Sequence, residues 1–428
     1  MKKVICAALA ALMVLTLLPG CQNNKGGDGV TELLIGIPGG DEATVKLAEN
    51  FKNANADKYV ITTDETAWGD FVTKIKLQFV AKNDVTPVFY TDSMQAMTFG
   101  AQGAVADLTE WADKEIDKEL YTSALTAITD TEGRLWGVPH GINSVAVLYN
   151  KDVFDAAGVA YPTEDWTWQD MLDKAKELTR DTDGDGETDV YGIQYSYNIT
   201  LGWLPFMAAV GVNPYKDDYR NSNLDDPKIV EAMEKYAQPI NDGLRMPPAE
   251  LAAIGGNQAF ADGKIAMQLV QYSHITGINQ NYPDLNYDAV LMPIGWNGER
   301  TCIYVPNTWQ VYAGLDEDVK AAALDWLKYY LSEEAQMIIA AESTGLPSMK
   351  KALDAVATSR PIPGGLDAFW KGIDEHGMTL LENPASATTR TYIDEMTNKI
   401  QNGEDIKKWV EQTHTDMQRE LDYFYENQ

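Results

Sequence analysis

Residues 180–192 read RDTDGDGETDVYG. Four aspartates and one glutamate alternate with small residues, a spacing that lets carboxylates converge on a hard cation. Calcium takes six to eight oxygen ligands, and a calcium-binding loop supplies them at fixed offsets. Laid on that pattern, Asp181, Asp183 and Asp185 take positions 1, 3 and 5. Gly186 takes the turn at 6, Glu187 the backbone carbonyl at 7, and Asp189 position 9. Position 12 calls for a bidentate glutamate, and Gly192 stands there. The loop therefore offers most of a structural calcium shell without its last clamp. An acidic turn from helix to strand is the other reading, and both stay open. A calcium sensor is not expected, because VYGIQYSY follows where a second helix would be needed.

Other chemistry is sparse. The chain has 64 Asp and Glu, so a glycosidase pair of carboxylates is not excluded by number. Serine-hydrolase, zinc-protease, dithiol and phosphate-loop motifs are absent. The four histidines, His140, His274, His376 and His414, are too far apart in sequence for metal-ligand spacing. We expect a binding protein with no catalytic residues. The alternatives are a secreted carbohydrate-active enzyme and a receptor for a non-sugar polar solute such as a polyamine.

Binding residues need elements to hold them. ELLIGI (32–37) reads as a strand stopped by PGG, and residues 41–55 carry a helical apolar face at Val45, Leu47, Ala48 and Phe51. YVITT from Tyr59 is a second strand, AWGDFVTKIKLQFVAK a second helix, and VTPVFYTD a third strand. Strands alternating with helices of this length predict a parallel sheet. Right-handed crossovers then bring the loops after the strands to one edge, where ligands bind. Further on, residues 133–159 hold two extended runs and a short helix, and Thr167 is placed to cap an amphipathic helix that ends at the acidic loop.

The N-terminus addresses the chain. Lys2 and Lys3 precede an apolar run over 4–18, a secretion signal covering 1–20. Leu18-Pro19-Gly20-Cys21 resembles a bacterial lipobox, which makes Cys21 the lipidation site and 21–28 a flexible lipidated tether. The expected location is extracytoplasmic, anchored to the outer face of the cell membrane. Cys6 leaves with the signal, so Cys302 has no intrachain partner and the fold stands without disulfides. The net charge of −30 repels nucleic acid and anionic headgroups.

Several stretches, in order, resemble the bacterial extracellular solute-binding proteins of the sugar-binding family, relatives of maltose-binding protein. They are GAVADLTEW (103–111), WGVPHGINSVAVLYNKDVFDAAGV (136–159), YPTEDWTWQDMLDKAKELT (161–179), AFADGKIAMQL (259–269) and LDWLKYYLSEEAQMIIAAESTGLPSM (324–349). The resemblance spans nearly the whole mature chain. It implies a two-lobed α/β fold of the periplasmic-binding-protein type II class, with crossing hinge segments. Carried over, lobe 1 is 29–139 plus 294–344 and lobe 2 is 140–293 plus 345–428. The crossings fall at VPHGINS, DAVLMPIG and STGLPS. It also implies a monomer that hands a carbohydrate, most simply an oligosaccharide, to two permease subunits and an ATPase of an ABC importer. Some members hold a structural calcium in a loop like 180–192.

Sugars offer apolar faces to aromatic rings and hydroxyl rims to polar side chains. The ligand-binding candidates on lobe 1 are Asp41, Glu42, Trp68, Asp70, Asp92 and Ser93, with Tyr90 beside them. The hinge offers Asn143, with His140 and Ser144. Lobe 2 offers Trp203 and Tyr272, with Tyr195, Tyr197, Gln271 and His274. The return to lobe 1 offers Trp309, with Asn307. Trp111, Trp168 and Trp326 read as structural.

Overall fold

The computed structural model describes residues 30–196, 199–359, 366–379 and 383–426. The signal segment, Cys21, the tether and Tyr197 lie outside the described residues. Lobe 1 begins as expected, with β1 (Thr31–Pro38), α1 (Glu42–Ala54), β2 (Tyr59–Thr66), α2 (Trp68–Ala81), β3 (Val88–Asp92) and α3 (Ser93–Ala101). Alternate residues of β1, Leu33, Ile35 and Ile37, are wholly buried, which fixes its register. β1 pairs in parallel with both β2 and β3. The loops after all three strands therefore share one edge.

Two long strands tie this sheet to the second lobe. β4 (Val138–Asn150) is one continuous strand rather than two runs. Its first half pairs antiparallel with β7 (Cys302–Val311), and its second half with β5 (Met267–Gln271) and β6 (Tyr287–Val290). β7 also pairs with β3, and the short β8 (Gly377–Met378) lies on β7. The strand order is β2-β1-β3-β7-β4-β5. A third strand-like crossing bonds Ile142 to Leu346 through reciprocal backbone hydrogen bonds of 2.8 and 2.9 Å.

Two boundaries differ from expectation. The return to lobe 1 is made by β7, past the DAVLMPIG segment, whose β6 stays on lobe 2 beside Val147 and Leu148. Helix Lys350–Ser359 packs on helix Glu333–Glu342, so the chain remains with lobe 1 after STGLPS. Its buried Ala352, Leu353 and Val356 join the core that holds Ile339 and Trp326. Sequence pattern marks apolar faces but does not say which lobe covers them.

Lobe 2 has its own core, built from helices Trp203–Val210, Pro227–Asn241, Ser386–Gln401 and Ile406–Glu426. Thr167 caps helix Trp168–Leu178 through a reciprocal capping box with Asp170. The strand expected after the acidic loop is reduced to isolated bridges from Tyr191 to Ile265 and Gln194 to Gln268. Gly192 interrupts it: a Cβ there would lie 2.0 Å from the Ala175 carbonyl oxygen, so only glycine lets the backbone press against that helix. Among the described residues, no helix is long and apolar enough to cross a membrane.

Candidate functional site

The loops after β1, β2 and β3 meet the hinge in a cleft of about 200 Å³. Pro38, Gly39, Gly40, Asp41, Trp68, Tyr90 and Asn307 line it from lobe 1. His140, Gly141, Ile142, Thr344 and Gly345 form the hinge wall, and Asn143 and Ser273 the lobe 2 wall. Gly40 has φ +93°, a turn that delivers Asp41 to the start of α1. Asp41 caps that helix, accepting from the Thr44 amide at 3.1 Å on Oδ1. Its other oxygen, Oδ2, accepts from the Tyr90 hydroxyl at 2.8 Å and lies 2.7 Å from His140 Nε2. A carboxylate only accepts, so the Nε2 proton of His140 faces Asp41.

His140 stands at the register shift between Pro139 and Gly141, the bulge of the hinge strand. Its ring stacks on Tyr90 with centroids 3.7 Å apart and planes 15° apart. Tyr330 lies against it at 5.4 Å and donates its hydroxyl to the His140 carbonyl at 2.9 Å. Thr44 Oγ1 is 2.9 Å from Nε2. Burial alone would raise the Asp41 pKa. The His140 imidazole and the hydrogen bonds from His140, Thr44 and Tyr90 outweigh it, holding the carboxyl well below the usual range. Burial, then the Asp41 charge, pushes the Tyr90 hydroxyl well up. The cleft floor is thus a fixed, ionised acceptor set among aromatic rings.

Trp68 is 40% exposed at the first position of α2, its ring 6.1 Å from Tyr90 and tilted by 41°. These rings give the cleft an apolar surface. Opposite, the Asn143 amide grips Ser273: Oδ1 accepts from its backbone N–H at 3.1 Å, and Nδ2 donates to its hydroxyl at 3.0 Å.

The other expected ligand residues are placed differently. Trp309 has no exposed surface; it lies edge-on to Tyr90, His140, Trp326 and Tyr330 beneath the cleft floor. Trp203 is also wholly buried and donates its indole N–H to Asp394 at 3.0 Å. Its helix, WLPFMAAV, is apolar all round and sits inside lobe 2. Tyr272 packs on Phe369 and Trp370 rather than opening to the cleft. None of the three offers a ring face to a ligand here. Glu42 and Asp70 point to solvent outside the cleft lining. Asp92 caps α3 by accepting from the Gln95 amide at 2.9 Å, and Ser93 is buried behind it. Ser273, Thr344 and Gly345 line the cleft without having been expected; Ser273 opens the helix Ser273–Asn281 and the other two lie in an irregular segment, and small residues at such places leave no periodic signal.

The acidic loop is a separate feature on lobe 2. Asp181, Asp183 and Asp189 bring carboxylate oxygens within 4.8 Å of one another. The Asp185 carboxylate does not join them; it accepts from the Glu187 amide at 2.8 Å. Asp181 accepts from the amides of Gly184 and Gly186 at 2.6 and 2.9 Å, and these bonds lower its pKa. The residues present fit three anionic ligands of a cation. The twelfth-position clamp has no room, since Gly192 is pressed onto Ala175.

Comparison with known proteins agrees with this architecture. The chain is 27% identical over 190 residues to the arabinooligosaccharide-binding protein of Bacillus subtilis (strain 168), covering 42% of this chain and 43% of that one. It is 23% identical over 142 residues to the sn-glycerol-3-phosphate-binding periplasmic protein UgpB of Agrobacterium fabrum, covering 32% and 33%. It spans about half the length, or less, of the curated relatives it matches at the higher identities. In structure it is similar to the ABC substrate-binding protein Lmo0181 of Listeria monocytogenes, solved with cycloalternan, with a TM-score of 0.77 at 22% identity over 91% of this chain and 98% of that one. The sequence model of the bacterial extracellular solute-binding proteins matches residues 46–362, most of the chain, and the chain belongs to that family.

Proposed function

We propose that this chain is the receptor of an ABC importer, which captures a carbohydrate between its lobes and passes it unchanged to permease subunits served by an ATPase. The observation that carries this reading is the cleft itself. An exposed Trp68 and its neighbour Tyr90 supply an apolar face, while Asn143, Ser273 and Asn307 supply hydroxyl-binding groups around it. All sit where two lobes meet on hinge strands, the geometry that closes on a small solute. The names of the arabinooligosaccharide-binding relative and the cycloalternan complex favour an oligosaccharide. At about 200 Å³ the cleft is smaller than the ~300–1,000 Å³ typical of ligand pockets, so a longer sugar requires the lobes to part.

A thermal-shift screen against arabino- and malto-oligosaccharides tests this, because a ligand at 100 times its Kd adds about 2.7 kcal/mol. With a hit in hand, Trp68→Ala should weaken binding by about tenfold to hundredfold while shifting the unfolding midpoint little. Calorimetry showing unchanged affinity in that variant would remove Trp68 from the site. Turnover of any glycan by the wild type would favour the enzyme reading instead.

Two attachments belong to the same proposal. Cys21 carries the lipid that holds the mature, monomeric protein at the outer face of the membrane, and the mass of the mature N-terminal peptide decides it. Asp181, Asp183 and Asp189 hold a structural calcium weakly, with Kd at the ~10⁻⁴ to 10⁻³ M end for want of a twelfth-position clamp. At ten times Kd the ion should stabilise by about 1.4 kcal/mol. Millimolar calcium should therefore raise the wild-type melting midpoint relative to chelator, and should not raise that of Asp183→Ala. Equal wild-type midpoints would leave a plain acidic turn.

A further inference from the structure

We infer that the cleft selects uncharged sugars against anionic ones such as polyol phosphates, and that Asp41 sets this selection. The inference rests on the sugar-receptor reading and narrows it. Relatives of this chain are named for both kinds of ligand, so the choice falls to the chemistry of the cleft.

Among the described residues that line the cleft there is one carboxylate, Asp41, and no lysine or arginine. A bound phosphate needs cationic or amide donors aimed at it. The donors nearest Asp41 are already committed. The Tyr90 hydroxyl and His140 Nε2 both serve Asp41 Oδ2, and the Thr44 amide serves Oδ1. The Thr44 side chain also hydrogen-bonds this carboxyl, so its lone-pair sites, about four, are largely taken, and what it turns to the cleft is its negative charge. The Asp41 side chain is 11% exposed and lines the cleft, so that charge is felt there. A neutral sugar meets no like charge there. A phosphate or carboxylate brings only acceptors and a second negative charge, next to a carboxyl that its partners hold ionised. The same sign extends over the whole molecule, with a net charge of −30 that slows the approach of anions.

Titration calorimetry on wild type and Asp41→Asn tests the assignment. The probes are arabino- and malto-oligosaccharides on one side, and sn-glycerol 3-phosphate and glucose 6-phosphate on the other. Asparagine caps a helix about as well as aspartate, so α1 keeps its start while the charge is lost. Asp41→Ser, which also caps, repeats the test should the first variant fold poorly. Wild type should bind a neutral sugar and bind the phosphates at least about a hundredfold more weakly, as like charges a few ångströms apart require. In the variant that ratio should shrink by about tenfold or more; a residue that merely supports the cleft would lower both affinities together and leave it unchanged. An unchanged ratio, or a phosphate bound by wild type as tightly as any sugar, overturns the inference while the sugar-receptor reading stands if a sugar also binds. If no sugar binds at all, that reading falls and the inference with it.

Discussion

Replacing Trp309 with alanine is expected to cost about 3–5 kcal/mol of stability, the range for removing a large aromatic side chain from a packed core. Trp309 has no exposed surface, and four other rings surround it: Tyr90, His140, Trp326 and Tyr330. Their positions depend on one another, so the cavity would not collapse cheaply. The variant should also bind ligand more weakly, but only because Tyr90 and His140, which line the cleft, lose their support. Trp68→Ala should behave in the opposite way. Its ring is 40% exposed where that of Trp309 has no exposed surface, so its loss should cost less stability and show mainly in affinity. Denaturant unfolding of the two variants side by side separates these roles. A Trp309→Ala protein with the wild-type midpoint and a large loss of affinity would show that Trp309 meets the ligand after all.

The contrast between these tryptophans shows how far the sequence can be read. Lobe 1 was legible because strand and helix periods alternate cleanly from residue 31 to 92, and apart from Ala67 between β2 and α2 each break falls at Gly, Pro or a capping residue. That topology also placed Asp41 and Trp68 at the cleft edge, since both lie where a strand has just ended. Trp309 lies inside β7, where successive side chains point to opposite faces, and a shift of one residue exchanges core for cleft. Pairing with β3 on one side and β4 on the other buries it, and both partners are remote in sequence. Trp203 was different: WLPFMAAV is apolar on every side, which already indicates an interior helix. Ser273 and Thr344 were illegible for another reason. Ser273 opens the helix Ser273–Asn281 and Thr344 lies in an irregular segment, so each reaches the cleft through the course of the backbone and not through a repeating pattern. Likewise, the acidic loop showed its carboxylates but not which of them converge. Backbone amides inside the loop turn Asp185 towards Glu187 and leave Asp181, Asp183 and Asp189 together.

At pH 7, Asp41→Asn should be roughly 3–5 kcal/mol less stable than wild type, and the gap should narrow on acidification. Asn retains the helix cap, so the difference isolates the charge and its partners. Burial by itself would raise the Asp41 pKa, and the proximity of His140 with hydrogen bonds from His140, Thr44 and Tyr90 more than reverses this. A carboxyl that is more acidic in the folded chain than in the unfolded one stabilises the fold above its unfolded pKa of ~3.9. That contribution is lost as pH falls through the folded value. Other carboxylates titrate in both proteins and cancel in the difference. Denaturant unfolding at pH 4 and pH 3 should therefore give a smaller gap at the lower pH. A gap that stays the same down to pH 3 would mean that His140 and Tyr90 do not stabilise the Asp41 charge. A gap that grows there would mean that the buried carboxyl prefers its proton, and that desolvation wins over its partners.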